Sequence, residues 1–306
     1  MATEQNKAID RRYVEEGDNK GNLAVVDELF APNYILHFPP NPPLDREGLK
    51  HAMTVLRTAF PDLHSTIEDQ IAEGNTVVGR RTVRGTHEGD FQGIPPTGKQ
   101  VTIPAISLMH LEGGQVVEQW ALLDLMGLMQ QLGVAPGPAQ PTGSTMGTAA
   151  RSSSGVTTST EHNKGLVRRV FEEGFTQGNA GVFDEVLAPN YVNYDFPMPV
   201  PGREGLKQVQ SLFRTAFPDL RVSIEDEVAE GDRVASRGYL AGTHRGEFMG
   251  LAPTGKPINV AYIDMWRVEN GQLVENWVRM DMVGMMQQLG AIPAPSGAAA
   301  IAGATA

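Results

Sequence analysis

The chain has 306 residues, a formal charge of −11 and no cysteine. That excludes disulfides, thiolate metal sites and cysteine nucleophiles. Neither half carries the basic surplus that nucleic-acid phosphates or an anionic membrane would demand. The opening residues, MATEQNKAIDRRYVEE, are charged, and no apolar run approaches the ~18 residues of a membrane helix. The expectation is a cytoplasmic protein with no nucleic-acid or membrane partner.

In chain order, residues 4–17 read as a helix, with Ile9, Tyr13 and Val14 at helical spacing and Gly17 as a stop. A short helix in VVDELFAP ends where Pro32 forbids continuation. The loop PPNPPL follows, then a third helix over Arg46–Ala59, broken by the proline of FPDL. Beyond FPDL the pattern turns to strands. Leu63–Glu73 and Thr76–His87 flank the turn EGN, and a Gly/Pro-rich loop leads to Val101–Leu111. Gly113-Gly114 turns the chain into Val116–Asp124, and a short helical GLMQQLG closes the series.

The chain then repeats itself. GTHEGDFQGIPPTGK, starting at Gly85, returns as GTHRGEFMGLAPTGK, starting at Gly242, and FPDL, APNY and QQLG recur at the same offset. From Asn6 to Gly133 the halves align without a gap. This is a duplicated domain, because the period far exceeds the ~20–50 residues of solenoid repeats. Helices followed by a strand meander indicate α+β, with helices packed on one face of a curved antiparallel sheet. The expected domains are 1–135 and 161–292. Between them lies a Pro/Gly/Ser/Thr linker, 136–160, and after them a disordered tail, 293–306. The two domains are expected to pair with each other or with another chain.

GIPPTGKQ fits most of a phosphate-binding loop, but Gln100 or Pro257 replaces the Ser/Thr, and Pro95 and Pro96 remove amide donors. A tight strand connection is the better reading. His87 and His244 sit in GTHxG, as a base or ligand contact or as backbone anchors. Glu88 is Arg245 in the other copy, so no repeated His–Glu metal pair exists. With a two-residue turn, the last hairpin places Glu118, Trp120, Leu122 and Asp124 on one face beside Met109, Ser107, Ala105 and Ile103. The second copy places Glu275, Trp277, Arg279 and Asp281 beside Trp266, Asp264, Tyr262 and Val260. That face either lines a pocket, where burial raises a carboxyl pKa, or lies outside the sheet. A single bulge would reverse part of the facing.

The ordered series FPDL, EG(N/D), GTHxGxFxGxxPTGK, (E/N)GQxVExW, then Asp and QQLG resembles the SnoaL-like polyketide cyclases, often labelled ester cyclases, of the nuclear-transport-factor-2-like superfamily. The resemblance covers both copies nearly end to end. It implies two tandem cone-shaped α+β barrels, each with an apolar pocket between helices and sheet. It also implies ring closure by intramolecular aldol condensation, with an acid/base Asp and no metal or organic cofactor. The family's acid/base Asp falls on Ala121 and Val278, a neighbouring His on Ser107 and Asp264, and a pocket Asn on Leu36 and Asn193.

The expected function is cofactor-free acid/base chemistry on an apolar, carbonyl-containing small molecule, as a cyclase, isomerase or lyase. Asp281 or Asp264 would act as acid/base, with Asp124 the counterpart in copy one. Tyr262 and Asn193 would donate to an enolate. Trp277, Arg279, Trp266, Glu275, Trp120, Glu118, His244 and His87 complete the candidate binding set. The alternative is a non-catalytic ligand-binding or interaction module of the same fold. Copy two, with Asn193, Asp195, Tyr262, Asp264 and Arg279, is expected to hold the polar working site. Copy one, with Leu36, Phe38, Ala105 and Leu122, is expected to hold a greasier cavity.

Overall fold

The computed structural model describes residues 2–135, 158–196 and 198–293. Residues 136–157 of the expected linker and 294–306 of the expected tail lie outside the described residues. The chain divides into two compact units, one per repeat.

Domain 1 opens with α1 (Ala2–Arg12), which widens into π-helical turns over Tyr13–Asn19. Next come α2 (Ala24–Leu29), β1 (Phe30–His37) and α3 (Arg46–Ala59). The Asp45 carboxylate caps α3 by accepting from Gly48 N at 2.8 Å, and Leu49, Ala52 and Met53 form its buried stripe. The strands are β2 (His64–Glu73), β3 (Thr76–Thr86), β4 (Gln100–Glu112) and β5 (Gln115–Leu123), followed by α4 (Leu125–Leu132). Domain 2 repeats this as α5 (Thr160–Arg169) with π-helical turns over Val170–Thr176, α6 (Val182–Val186), β6 (Leu187–Asn193) and α7 (Gly202–Ala216). It ends with β7 (Arg221–Glu230), β8 (Arg233–Thr243), β9 (Pro257–Glu269), β10 (Gln272–Met280) and α8 (Met282–Leu289).

Each unit is the α+β cone expected from the sequence, with a five-stranded sheet ordered β1-β5-β4-β3-β2 or β6-β10-β9-β8-β7. The fifth strand is a finding. Helix α2 stops at Leu29, before Pro32, and Phe30–His37 pairs in parallel with β5. Proline hides this strand from a sequence reading, yet an edge strand tolerates its missing N–H.

The shared motifs turn out to be joints of this frame. In FPDL, Asp62 accepts from Thr86 N at 2.6 Å and Thr86 Oγ1 at 2.7 Å, tying the end of α3 to β3. In GTHxG, a Cβ at Gly89 would overlap the Thr58 carbonyl, so only glycine allows that approach. Lys99 of PTGK donates to the Leu132 carbonyl at the end of α4, at 3.0 Å. Gln131 of QQLG bonds both backbone groups of Thr102. These contacts join the helices to the sheet in the same way wherever the motifs recur.

Candidate functional site

The facing of the last hairpin decides which side chains meet the cavity. Its turn is as expected: Asn270 and Gly271 both have positive φ, and Glu269 pairs with Gln272. One step further the register slips. Val268 pairs with Leu273, but Arg267 pairs with Glu275, leaving Val274 as an extra residue. Domain 1 does the same between His110 and Leu111. The bulge turns β5 and β10 over relative to a regular ladder. Gln119, Ala121 and Leu123 therefore line the domain-1 cavity, and Asn276, Val278 and Met280 line that of domain 2.

Nine of the thirteen candidate residues thereby fall outside the cavity linings. Glu118, Trp120, Glu275, Trp277 and Arg279 lie on the opposite face of the sheet, away from the cavities. There Trp120 stacks on His37 at 4.9 Å and Glu118 bonds His37 at 2.8 Å. Trp277 stacks on Tyr194 at 5.1 Å, Glu275 accepts from Tyr194 Oη at 3.0 Å, and Arg279 pairs with Asp195. Asp124 and Asp281 are helix caps, accepting from Gly127 N and Gly284 N at 2.8 Å each. Burial pushes the Asp281 carboxyl up, against the pull of the Gly284 amide. His87 and His244 are fully buried, packed on Phe60 and Phe217, with Nδ1 at 3.1 Å from Thr97 and Thr254 Oγ1. They pin the Gly/Pro loop and do not line either cavity.

Tyr262, Asp264 and Trp266 line the domain-2 cavity of about 70 Å3, together with Asn193, Asn276 and a wall of Phe, Leu, Val and Met. Asp264 has no solvent exposure. Its Oδ1 accepts from Ser236 N at 3.0 Å and Ser236 Oγ at 2.7 Å, and its Oδ2 from Trp266 Nε1 at 2.7 Å. Burial pushes its carboxyl up to about 7, against these three donors. Two expected donors are otherwise engaged. Tyr262 Oη donates to the Ser223 carbonyl at 3.0 Å. Asn193 Nδ2 donates to Asn276 Oδ1 at 2.8 Å, while its Oδ1 accepts from Asp195 N and Phe196 N.

Domain 1 encloses the larger cavity, about 120 Å3, and it is not uniformly greasy. Leu36, Phe38, Met53 and Ile103 line it, but so do Arg81, Asp18, Ser107 and Gln119. Arg81 bonds Asp10, and its Nη1 lies 3.7 Å from Asp18 Oδ2. Burial pushes the Asp18 carboxyl up against the pull of Arg81. The polar cluster around an arginine that copy two was expected to form is thus built in copy one, from other residues. The signal for it lay in the repeat: Asp10, Asp18 and Arg81 align with Val167, Phe175 and Gly238. Among the described residues, no group of three or more His, Asp or Glu is arranged to hold a metal ion. No helix among them is long and apolar enough to cross a membrane.

A model of the SnoaL-like polyketide cyclase family matches residues 7–132 and again 165–289. Among solved structures, TsrD of Streptomyces laurentii is 25% identical over 44% of this chain and 99% of its own, with a TM-score of 0.42. IdmH of Streptomyces antibioticus, a candidate polyketide cyclase, is 34% identical over 42% of this chain and 98% of its own, with a TM-score of 0.38. A candidate SnoaL-like polyketide cyclase from Jannaschia sp. CCS1 is 30% identical over 44% and 95%, with a TM-score of 0.41. No curated protein matches the chain.

Proposed function

The chain belongs to the SnoaL-like polyketide cyclase family, and from that premise we propose that domain 2 carries out acid/base chemistry, without a cofactor, α to a carbonyl of a mostly apolar small molecule. The observation that carries this reading is Asp264. It is the one carboxylate among the residues lining that cavity, it is fully buried, and its pKa of about 7 suits proton transfer in either direction. The ionised carboxylate takes the α-proton, and the C–H electron pair moves onto the carbonyl oxygen as an enolate. The enolate carbon then attacks a second carbonyl of the same molecule, or is reprotonated elsewhere. Asp264 returns the proton to the new alkoxide or carbon. Ser236 and Trp266 hold the carboxylate in place through the cycle and limit its geometry to one rotamer.

The aldol form of this reaction faces one specific objection. The position of the family's acid/base Asp is Val278 here and Ala121 in domain 1, and both face the cavities. Acid/base work therefore shifts one strand over, to β9, or is absent. In the second case the cavities bind ligands without turning them over. Exchange of α-protons of apolar ketones in D2O, followed by NMR, separates the two readings. Exchange catalysed by the wild type and lost in Asp264→Asn supports the enzyme. A protein that binds such ketones without catalysing exchange is a binding module.

A further inference from the structure

Domain 2 carries a second buried acid that the chemistry above leaves unused. Glu227 on β7 pairs with Ser236 on β8, and Ser236 pairs with Asp264 on β9. Residues directly opposite across a ladder point to the same face. The three side chains therefore form one row on the inner face of the sheet, from the cavity wall to the edge strand β7. At one end Ser236 Oγ donates to Asp264 Oδ1 at 2.7 Å. At the other, Glu227 Oε2 accepts from Arg168 of α5, at 2.8 Å from Nε and 2.6 Å from Nη2. The Glu227 side chain is 8% exposed and that of Arg168 42%. The row thus leads from a carboxyl with no exposure to an ion pair that meets water.

Glu227 Oε1 is buried and has no hydrogen-bond partner, a costly state for a carboxylate oxygen. Burial pushes this carboxyl up, helped by Glu161 and against the pull of Arg168 and Lys164. The Ser236 hydroxyl gives its one hydrogen to Asp264 and has two lone pairs. It can therefore take a proton from one neighbour as it passes its own to the other. Tyr262 is the other hydroxyl beside Ser236, but it donates to the Ser223 carbonyl, and burial holds it above the usual phenol range. Domain 1 supplies the control. The same row there is Gln70, Gly79 and Ser107, with Arg11 donating to Gln70 Oε1 at 3.2 Å. Strands and arginine are kept, while the acid and the bridging hydroxyl are absent together with the β9 carboxylate.

We propose that Glu227 is the proton-relay residue of domain 2, connecting Asp264 to water through the Ser236 hydroxyl. This rests on Asp264 acting as the acid/base group. A proton taken up by Asp264 passes to the Ser236 oxygen while the serine's own proton passes to Glu227 Oε1. One O–H bond breaks at Asp264 and one at Ser236, and one forms at Ser236 and one at Glu227. The carboxylate charge moves from Glu227 to Asp264, and Glu227 then gives its proton to water beside Arg168. Oε1 reaches the hydroxyl by turning about the terminal torsion of the glutamate, which is broad. Asp264 needs the relay because it has no solvent exposure of its own. Without it, a proton lifted from a bound molecule returns to that molecule.

The test is α-proton exchange of 2-acetylnaphthalene in D2O, followed by NMR on the full chain. Only the exchange that Asp264→Asn abolishes is counted, which confines the readout to domain 2. Glu227→Gln, the residue domain 1 already carries beside its arginine, is expected to lower that exchange at least about tenfold, less than the loss expected for a group that meets the substrate. Glu227→Ala is expected to be as slow, and to be accelerated by sodium acetate, which supplies the deleted CH2–COO⁻. Sodium chloride at equal ionic strength is expected to have no such effect. A purely structural role for the Arg168–Glu227 pair predicts no response to acetate. Wild-type exchange in Glu227→Gln, or slow exchange in Glu227→Ala that acetate does not restore, overturns the relay and leaves the acid/base reading of Asp264 standing. Absence of any Asp264-dependent exchange in the wild type overturns both.

Discussion

The two cavities share a backbone plan and differ in which wall is polar. In domain 1 the charged groups come from the helical side and β3: Asp18 on the π-helical turns and Arg81 on the strand. In domain 2 the polar group is Asp264 on β9, held by Ser236 of β8. The exchange is compensated at cross-strand pairs. Arg81 faces Ala105, whereas Gly238 faces Tyr262, so a large side chain on one strand goes with a small one on the other. It is also close to exclusive. A Cβ at Gly79 would sit 2.8 Å from Asp10 Oδ2, and the same position in domain 2 is the serine that binds Asp264. A Cβ at Gly238 would overlap the Ser223 carbonyl, so an arginine cannot be placed there without moving β7. A duplicated fold can thus relocate its buried polar group only by changing several packed positions together.

The comparison breaks most sharply at Asp264. Asp264→Asn is expected to lower ketone α-proton exchange by about 10²–10⁴-fold, and Asp18→Asn is expected to leave that exchange in place. The reverse pattern, read from the same NMR assay, would move the acid/base role to domain 1.

The next effect is on stability. Arg81→Met leaves Asp10 buried without its cation and should cost about 3–5 kcal/mol in denaturant unfolding. The joint change Asp10→Val, Asp18→Phe and Arg81→Gly should recover most of that loss. A full loss in both variants would show that domain 1 depends on the cluster for folding.

Acidity separates the domains more gently. Asp264 has a folded pKa near 7, above its unfolded value, so the folded state holds the extra proton between pH ~4 and ~7. Its contribution to stability is full below the unfolded pKa and is lost as pH rises through the folded one. Wild type should therefore lose up to about 4 kcal/mol relative to Asp264→Asn across that window, measured by urea unfolding at stepped pH. A flat difference would mean that water or a rearrangement relieves the burial.

The smallest effect belongs to the caps. Asp124→Ala and Asp281→Ala should each cost about 1 kcal/mol of stability without abolishing exchange. Loss of exchange in a folded Asp281→Ala protein would return that residue to the catalytic role first read from the sequence.

Much of this molecule was determined by local sequence. The gapless repeat, the four-strand meander, the Asn-Gly turn and the end of α3 before Pro61 follow from periodicity and turn chemistry, which act over a few residues. Besides the parallel edge strands β1 and β6, two things were decided only in three dimensions. The bulge at Val274 and its counterpart in β5 reversed the last strand, because facing has a period of two and one extra residue inverts every later side chain. That moved Trp277, Glu275 and Arg279 out of the cavity and brought Asn276 in. The Asp10–Arg81–Asp18 cluster was the other. Its members are up to 71 residues apart, on two turns of helix and a strand, and the pairing exists only once the sheet has folded against those turns.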